Sequence, residues 1–183
     1  MEQGGKLTEK KISKLQRIVR YSVTAIASVL LIFVCIAVYN FYRLTPTRLF
    51  NEKYEAYDVT TTKDSVETSI RKAYREKKYA DVIKLNANSV LSIKDVFLTG
   101  MAFLETNDLS RAISSFQVVL ADVKNEPELK DAAEYYLALA YLKNNDYDQS
   151  IELMNAIHDN TAHLYTKKFS RKYIDRVKRL KWR

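Results

Sequence analysis

The sequence contains few of the residues that interrupt helices: its 183 residues include only three glycines and two prolines. Domains built from many short strands need both residues in their frequent turns, so this scarcity argues against a turn-rich all-β domain. It favours helices joined by short connections. The sequence therefore predicts an all-α protein.

Cysteine and histidine are also scarce, with one cysteine and two histidines in the chain. Cys35 alone cannot form an internal disulfide, and His158 and His163 have no cysteine near them to complete a zinc site. The sequence also lacks G-x-S-x-G, H-E-x-x-H and a glycine-rich phosphate loop. We therefore predict a protein that is not an enzyme and that has no cofactor, no metal and no small-molecule substrate.

One long stretch lacks charge altogether: residues 21–42 contain no Asp, Glu, Lys or Arg. As a helix this stretch would rise about 33 Å, enough to cross a hydrocarbon core of about 30 Å. Tyrosines at both of its ends would suit the membrane–water boundary. The pattern predicts a transmembrane helix. A buried core helix and a cleaved or lipidated signal segment are the alternatives.

The charges on the two sides of this stretch differ. Residues 1–20 carry six basic and two acidic residues, whereas basic and acidic residues balance just after residue 42. Lys and Arg close to a span tend to stay in the cytoplasm. The pattern therefore predicts a basic cytoplasmic tail at 1–20 and a single-pass protein of the inner (plasma) membrane, with an extracytoplasmic, periplasmic C-terminal domain.

Residues 43–62 are predicted to form an extended tether. Pro46 restricts the residue before it, and a β-branched run near residue 60 disfavours a helix. Phe50, Tyr54 and Tyr57 are too apolar for a free linker. We expect these three side chains to dock on the first helices of the following domain.

A pattern recurs three times after residue 63. In each copy a helical stretch with small residues leads into a polar turn, and an apolar residue then begins a second helical stretch. The turns are Glu76-Lys77-Lys78, Thr106-Asn107-Asp108 and Asn144-Asn145-Asp146. They lie 30 and 38 residues apart, which averages to the 34-residue period of tetratricopeptide repeats.

On these residues the chain resembles the tetratricopeptide repeat family over about 63–160. The second repeat has the most signature positions, which are Gly100, Phe103, Leu109, Ala112 and Phe116. The third repeat has Ala138, Tyr141, Tyr147, Ser150 and Met154. The small residues of each set are expected where the two helices of a pair cross.

The resemblance implies a short α-solenoid of three helix pairs, at about 63–92, 93–126 and 129–160. An unrelated helical bundle is the alternative. Together with the predicted anchor and tether, the layout resembles single-pass membrane-anchored tetratricopeptide proteins of Bacteroidota.

Residues 161–183 are predicted to form a basic amphipathic helix that caps the repeats. They hold nine basic residues against Asp175 alone, whereas the region from 43 to 160 is mildly acidic. The chain is therefore not a uniformly basic nucleic-acid binder, and no nucleic-acid partner is expected. The predicted basic surface comprises Lys168, Arg171, Lys172, Arg176 and Arg179.

The first helix of each pair lines a concave face in tetratricopeptide folds, so the resemblance implies a groove for a protein partner. The groove residues would be Tyr74, Phe97, Met101, Leu104, Tyr135, Leu139 and Leu142. This largely apolar strip would suit a helix or an extended peptide. The alternative is that the strip is core, covered by the chain's own C-terminal helix.

The predicted function is a membrane-anchored, non-enzymatic scaffold or adaptor for protein–protein interaction on the extracytoplasmic side. Its partner would be an unidentified protein, either alone or as part of a membrane complex. The alternative is a membrane-surface structural or accessory subunit whose basic ends contact lipid headgroups or a larger membrane complex.

Overall fold

The computed structural model describes residues 21, 26, 28–39, 44–59, 68–86, 92–123 and 127–182. The chain forms two compact units, Met1–Leu44 and Thr45–Arg183. Every regular element in the described ranges is a helix and none is a strand, which agrees with the predicted all-α class.

The described part of the N-terminal unit does not show the predicted transmembrane helix. Across the described ranges, no helix combines the length and the apolar character that crossing a bilayer requires. This finding contradicts the predicted span at 21–42 and the single-pass, inner-membrane localisation based on it.

Part of that prediction lies outside the described residues. The predicted tail at 1–20 is one such part, and residues 22–25, 27 and 40–42 of the predicted span are others.

The C-terminal unit begins with a helix, α1 (Pro46–Lys53), inside the stretch predicted as an extended tether. Thr45 caps its N-terminus, since the Thr45 side-chain oxygen accepts a 3.2 Å hydrogen bond from the backbone N–H of Arg48. Pro46 occupies the first turn, where its fixed φ suits a helix and its missing N–H is not needed. Residues 54–59 continue without regular structure, and residues 60–62 lie outside the described ranges.

Three helix pairs follow α1. They are α2 (Ser69–Arg75) with α3 (Tyr79–Asn86), α4 (Ile93–Glu105) with α5 (Leu109–Asp122), and α6 (Pro127–Lys143) with α7 (Tyr147–Asp159). Consecutive helices pack against each other, and the first helices of the pairs also touch in series, α2 on α4 and α4 on α6. Parts of the predicted repeat limits, at 63–67, 87–91 and 124–126, lie outside the described residues.

The three pairs share one connecting turn. The middle residue of each turn has a positive φ, which is 57° at Lys77, 63° at Asn107 and 68° at Asn145. The residue that follows each of these middle residues donates its backbone N–H to the carbonyl five residues earlier, at a distance of 2.8–2.9 Å. The donors and acceptors are Lys78 and Ala73, Asp108 and Phe103, and Asp146 and Tyr141. This hydrogen bond satisfies a carbonyl that the end of the first helix leaves free.

Small residues lie where the helices of a pair approach each other. A Cβ added to Gly100 would lie 2.9 Å from Cε1 of Phe116 and 3.0 Å from Cβ of Ser115, so α4 and α5 leave no room for a side chain there. In the third pair, the Ser150 hydroxyl donates to the Ala138 carbonyl at 2.9 Å. The sequence predicted that Gly100 would meet Ala112 and that Ala138 would meet Ser150. The second contact is present, whereas the atoms nearest to Gly100 belong to Phe116 and Ser115.

The last helix, α8 (Arg171–Lys181), packs against α7 and α1. It begins later than the predicted start near residue 161, because the side chain of Ser170 caps it by accepting a hydrogen bond from the backbone N–H of Tyr173. Residues 161–169 form turns instead. The apolar face of α8 is buried, through Tyr173, Ile174, Val177 and Leu180.

Candidate functional site

The seven residues of the predicted groove all lie on α2, α4 and α6, and all are buried. Their exposed fractions range from 0 to 4% for Tyr74, Phe97, Met101, Leu104, Tyr135, Leu139 and Leu142. A partner cannot reach these side chains while the neighbouring parts of the chain stay in place.

One stretch of the chain, residues 46–59, lies over this strip, and we name it the covering segment. Its helix α1 packs against α6 and α8. Beyond α1, the Tyr57 ring meets Phe97 of α4 edge-on, with centroids 4.8 Å apart. The covering segment therefore reaches α4 and α6, the first helices of the second and third pairs.

Three tyrosine hydroxyls bind the backbone of the covering segment. Tyr173 donates to the Leu49 carbonyl at 2.7 Å, Tyr135 to Lys53 at 2.5 Å, and Tyr136 to Glu55 at 2.8 Å. Each acceptor is a backbone carbonyl, which every residue has. These bonds therefore select the path of a peptide backbone and not the identity of its side chains.

Two ion pairs at the rim add a preference for negative charge. Lys168 Nζ lies 2.7 Å and 2.8 Å from the two carboxylate oxygens of Glu55. Arg176 Nη1 lies 2.7 Å from Oε2 of Glu52. All four side chains are partly exposed, so each pair contributes about 0–1 kcal/mol to stability.

Aromatic packing holds the middle of the covering segment. Phe50 stacks on Tyr54 with centroids 4.8 Å apart, and Nζ of Lys143 lies 4.6 Å from the centroid of the Phe50 ring. The Tyr54 hydroxyl donates to Oε1 of Glu105 at 2.5 Å. Burial raises the pKa of Tyr54 above its ordinary value, and the bond to Glu105 raises it further. Burial lowers the pKa of Lys143, whereas the negative charge of Glu105 raises it.

The three tether aromatics dock on the domain, but not on its first helices as predicted, since their contacts fall on α4 and α6. Phe50 is buried beside Lys143 of α6, and Tyr54 and Tyr57 each pack edge-on against Tyr136 of α6. Sequence reasoning omitted Tyr136 and Tyr173 from the groove residues. Their hydroxyls bind residues that are distant in the sequence, and such contacts leave no local sequence pattern.

The predicted basic residues do not form one free surface. Three of them are paired, Lys168 with Glu55, Arg176 with Glu52, and Arg171 with Asp159. Lys172 and Arg179 are exposed and have no ion-pair partner in the part of the chain that the structure describes. The pair of Arg176 joins α8 to the covering segment, the pair of Lys168 joins the preceding turn to that segment, and the pair of Arg171 joins α8 to α7.

A second cluster joins α6 to the connection between α7 and α8. Nε2 of the buried His163 lies 3.2 Å from Oε2 of Glu134 and 3.7 Å from Oδ1 of Asp131. These three residues offer ligand atoms within 4.8 Å of one another, a spacing that a metal ion could use. The hydrogen bonds of the histidine ring decide whether it suits one.

The ring of His163 is arranged for hydrogen bonding. The backbone N–H of Tyr165 donates to Nδ1 of His163 at 3.0 Å, so Nδ1 carries no proton and Nε2 carries one that it donates to Glu134. A metal on Nε2 would require the opposite tautomer, with a proton on Nδ1 facing the Tyr165 N–H. With Leu164 N–H bound to Asp131 at 2.7 Å, the cluster fixes the connection to α6.

A family model of the tetratricopeptide repeat matches residues 132–160, which span most of α6 and all of α7. Comparison with curated proteins found no match, and comparison with solved structures found none either. These comparisons therefore give no support to the resemblance to membrane-anchored proteins of Bacteroidota. The match shows one tetratricopeptide repeat, at the third helix pair.

Proposed function

We propose that this protein is a non-enzymatic scaffold or adaptor that binds a peptide segment of a partner protein across α4 and α6. Tetratricopeptide repeats bind protein partners, and the family match covers one of these two helices. The observation that carries the proposal is the row of tyrosine hydroxyls, Tyr135, Tyr136 and Tyr173, aimed at a peptide backbone. Such donors suit a polypeptide ligand.

The binding face combines three kinds of contact that an interface needs. Aromatic rings supply apolar area, the tyrosine hydroxyls fix a backbone, and basic side chains at the rim select charge. Tyr136 belongs to the first two kinds, since its ring packs against Phe97 and Phe116 while its hydroxyl binds a carbonyl. The proposed site is therefore the face formed by α4, α6 and α8.

Site-specific photo-crosslinking in the producing cell tests this proposal. A photoreactive residue at Lys168, on the rim, is expected to capture a discrete partner protein. The matched control is Val118, which is 52% exposed on α5 and away from the covering segment. Capture at Val118 and not at Lys168 would overturn the proposed site, and capture at neither position would overturn the scaffold function.

A further inference from the structure

We propose that the covering segment, residues 46–59, is a built-in competitor that occupies the peptide-binding face of its own chain. The partner that displaces it would carry an acidic, aromatic peptide of the same chemistry. This inference rests on the proposed function and adds to it the class of ligand and the way in which the site is closed.

The covering segment is held as a bound peptide would be held. Within it, only Leu49 and Phe50 are buried, and the residues after α1 are half-buried or exposed. Its other attachments include the three carbonyls bound by tyrosine hydroxyls, the two rim ion pairs, the hydrogen bond of Tyr54 to Glu105 and the ring contacts of Tyr54 and Tyr57. None of these attachments depends on the segment belonging to the same chain.

The same contacts define the ligand. Two acidic side chains three residues apart, in the positions of Glu52 and Glu55, would meet Arg176 and Lys168. An aromatic residue in the position of Tyr57 would pack against Phe97. Preceding apolar residues would take the places of Leu49 and Phe50. The predicted partner segment is thus a short helix followed by an extended stretch, with acidic and aromatic residues in that register.

Covalent attachment gives the covering segment an advantage over a free peptide. A segment tethered to its own site competes at an effective concentration of about millimolar. A free peptide then binds only to the fraction of molecules in which the segment is undocked, so its apparent affinity falls by that fraction. Weakening the segment within the chain should therefore strengthen binding of the same sequence added from outside.

The test titrates a fluorescent synthetic peptide of residues 46–59 into the full chain and follows its anisotropy. The receptor variant E52A/E55A loses both rim pairs of the covering segment and keeps its buried anchors. Loss of two exposed ion pairs should favour the undocked state by about threefold to tenfold, and the peptide should bind this variant more tightly by the same factor. A thermal melt of each variant verifies that it is folded.

A charge swap provides the matched control. In the variant K168E/R176E the covering segment and the added natural peptide lose the same two ion pairs, so binding of the natural peptide should change little, whereas a peptide carrying Glu52→Lys and Glu55→Lys should bind more tightly than the natural peptide. Equal binding of both peptides by all three chains would place the peptide elsewhere and overturn the proposal. No binding to folded E52A/E55A at millimolar peptide would make the segment a permanent part of the core, which also overturns it.

Two further outcomes separate this inference from the proposed function. Partner capture at Lys168 without any peptide exchange would reject the competitor and leave the scaffold function standing. Peptide exchange without partner capture would reject the scaffold function and leave the competitor standing. Self-association of the natural chain that the added peptide dissolves would show exchange between two copies and overturn competition within one chain.

Discussion

The hydroxyl of Tyr135, in the middle of α6, lies 2.5 Å from the backbone carbonyl of Lys53, the last residue of α1. The final carbonyls of a helix have no partner within that helix, and a buried hydroxyl needs an acceptor. Each group therefore satisfies the other. The bond joins two helices whose residues are 82 positions apart in the sequence.

Tyr135→Phe should weaken the docking of α1 while keeping the packed ring. Removing one buried hydrogen bond is expected to lower the free energy of unfolding by about 0.5–1.5 kcal/mol. Denaturant titration of the full chain measures the loss. Tyr141→Phe is the control, since its hydroxyl accepts an exposed hydrogen bond from Gln117, and it should change stability less.

Gly100→Leu should destabilise the contact between α4 and α5. A Cβ at this position already falls 2.9 Å from the buried Phe116 ring, so the larger side chain overpacks the crossing and costs about 1–3 kcal/mol or more. Ser114→Leu, at an exposed position of α5, serves as the control and should melt close to the natural protein. Equal melting of the two variants would contradict the close approach described at Gly100.

Lys77→Asn should stabilise the first turn. Lys77 has a φ of 57°, a left-handed conformation that asparagine adopts at lower cost than lysine. The expected gain is about 0.5 kcal/mol. Asparagine is the natural choice because the two later turns already have it at this position. The reverse substitution, Asn107→Lys, should lose a similar amount. A shift of both denaturation midpoints in the same direction would refute the shared turn.

The tyrosines that contact the covering segment should ionise later than ordinary tyrosines. Burial raises the pKa of Tyr54, Tyr135, Tyr136 and Tyr173 above the ordinary value near 10. The folded state favours the neutral phenol, so this stabilisation is complete below pH 10 and is lost as the pH rises through the folded-state pKa values.

Absorbance at 295 nm measures that ionisation. Between pH 10 and 11, the folded chain should ionise fewer tyrosines than the chain in guanidinium chloride does. As the pH rises further, the buried tyrosines should ionise, and the helical circular dichroism should be lost at the same pH. A single midpoint near pH 10 in a chain that stays helical would count against this burial.

The cluster around His163 should respond to mutation and not to metal. His163→Ala removes the donor to Glu134 and leaves buried polar groups without a partner, at a cost of about 1–3 kcal/mol. Zinc at about tenfold molar excess should leave the melting temperature of the natural chain unchanged, because Nδ1 of His163 accepts a backbone hydrogen bond. A rise in melting temperature that His163→Ala abolishes would show a metal site instead.

Features set by neighbouring residues were predictable from the sequence. The three polar turns and the small residues at Gly100 and Ser150 follow local patterns, and the structure has a turn or a helix crossing at each. The start of α1 was missed even though Thr45 and Pro46 form a known helix start, because eight residues are too few to show a clear helical period.

Features set by distant residues were not predictable. The apolar composition of residues 21–42 indicates that a helix there would suit a bilayer, whereas no helix in the described ranges has the length and apolar character to cross one. The burial of the predicted groove depends on contacts such as Tyr136 with Glu55, which are 81 positions apart. Apolar side chains at helical spacing look the same whether a partner or the chain itself covers them.

The contact between Tyr173 and Leu49 has a consequence for synthesis on the ribosome, because these residues lie 124 positions apart. At about 5–20 residues per second, some 6–25 seconds pass between the two. The helix pairs rely on near neighbours and can form during that interval, whereas α1 cannot dock fully until α8 emerges. The first helix of the C-terminal unit therefore completes its docking only after the three helix pairs have packed, and the last contact to form joins α1 to α8.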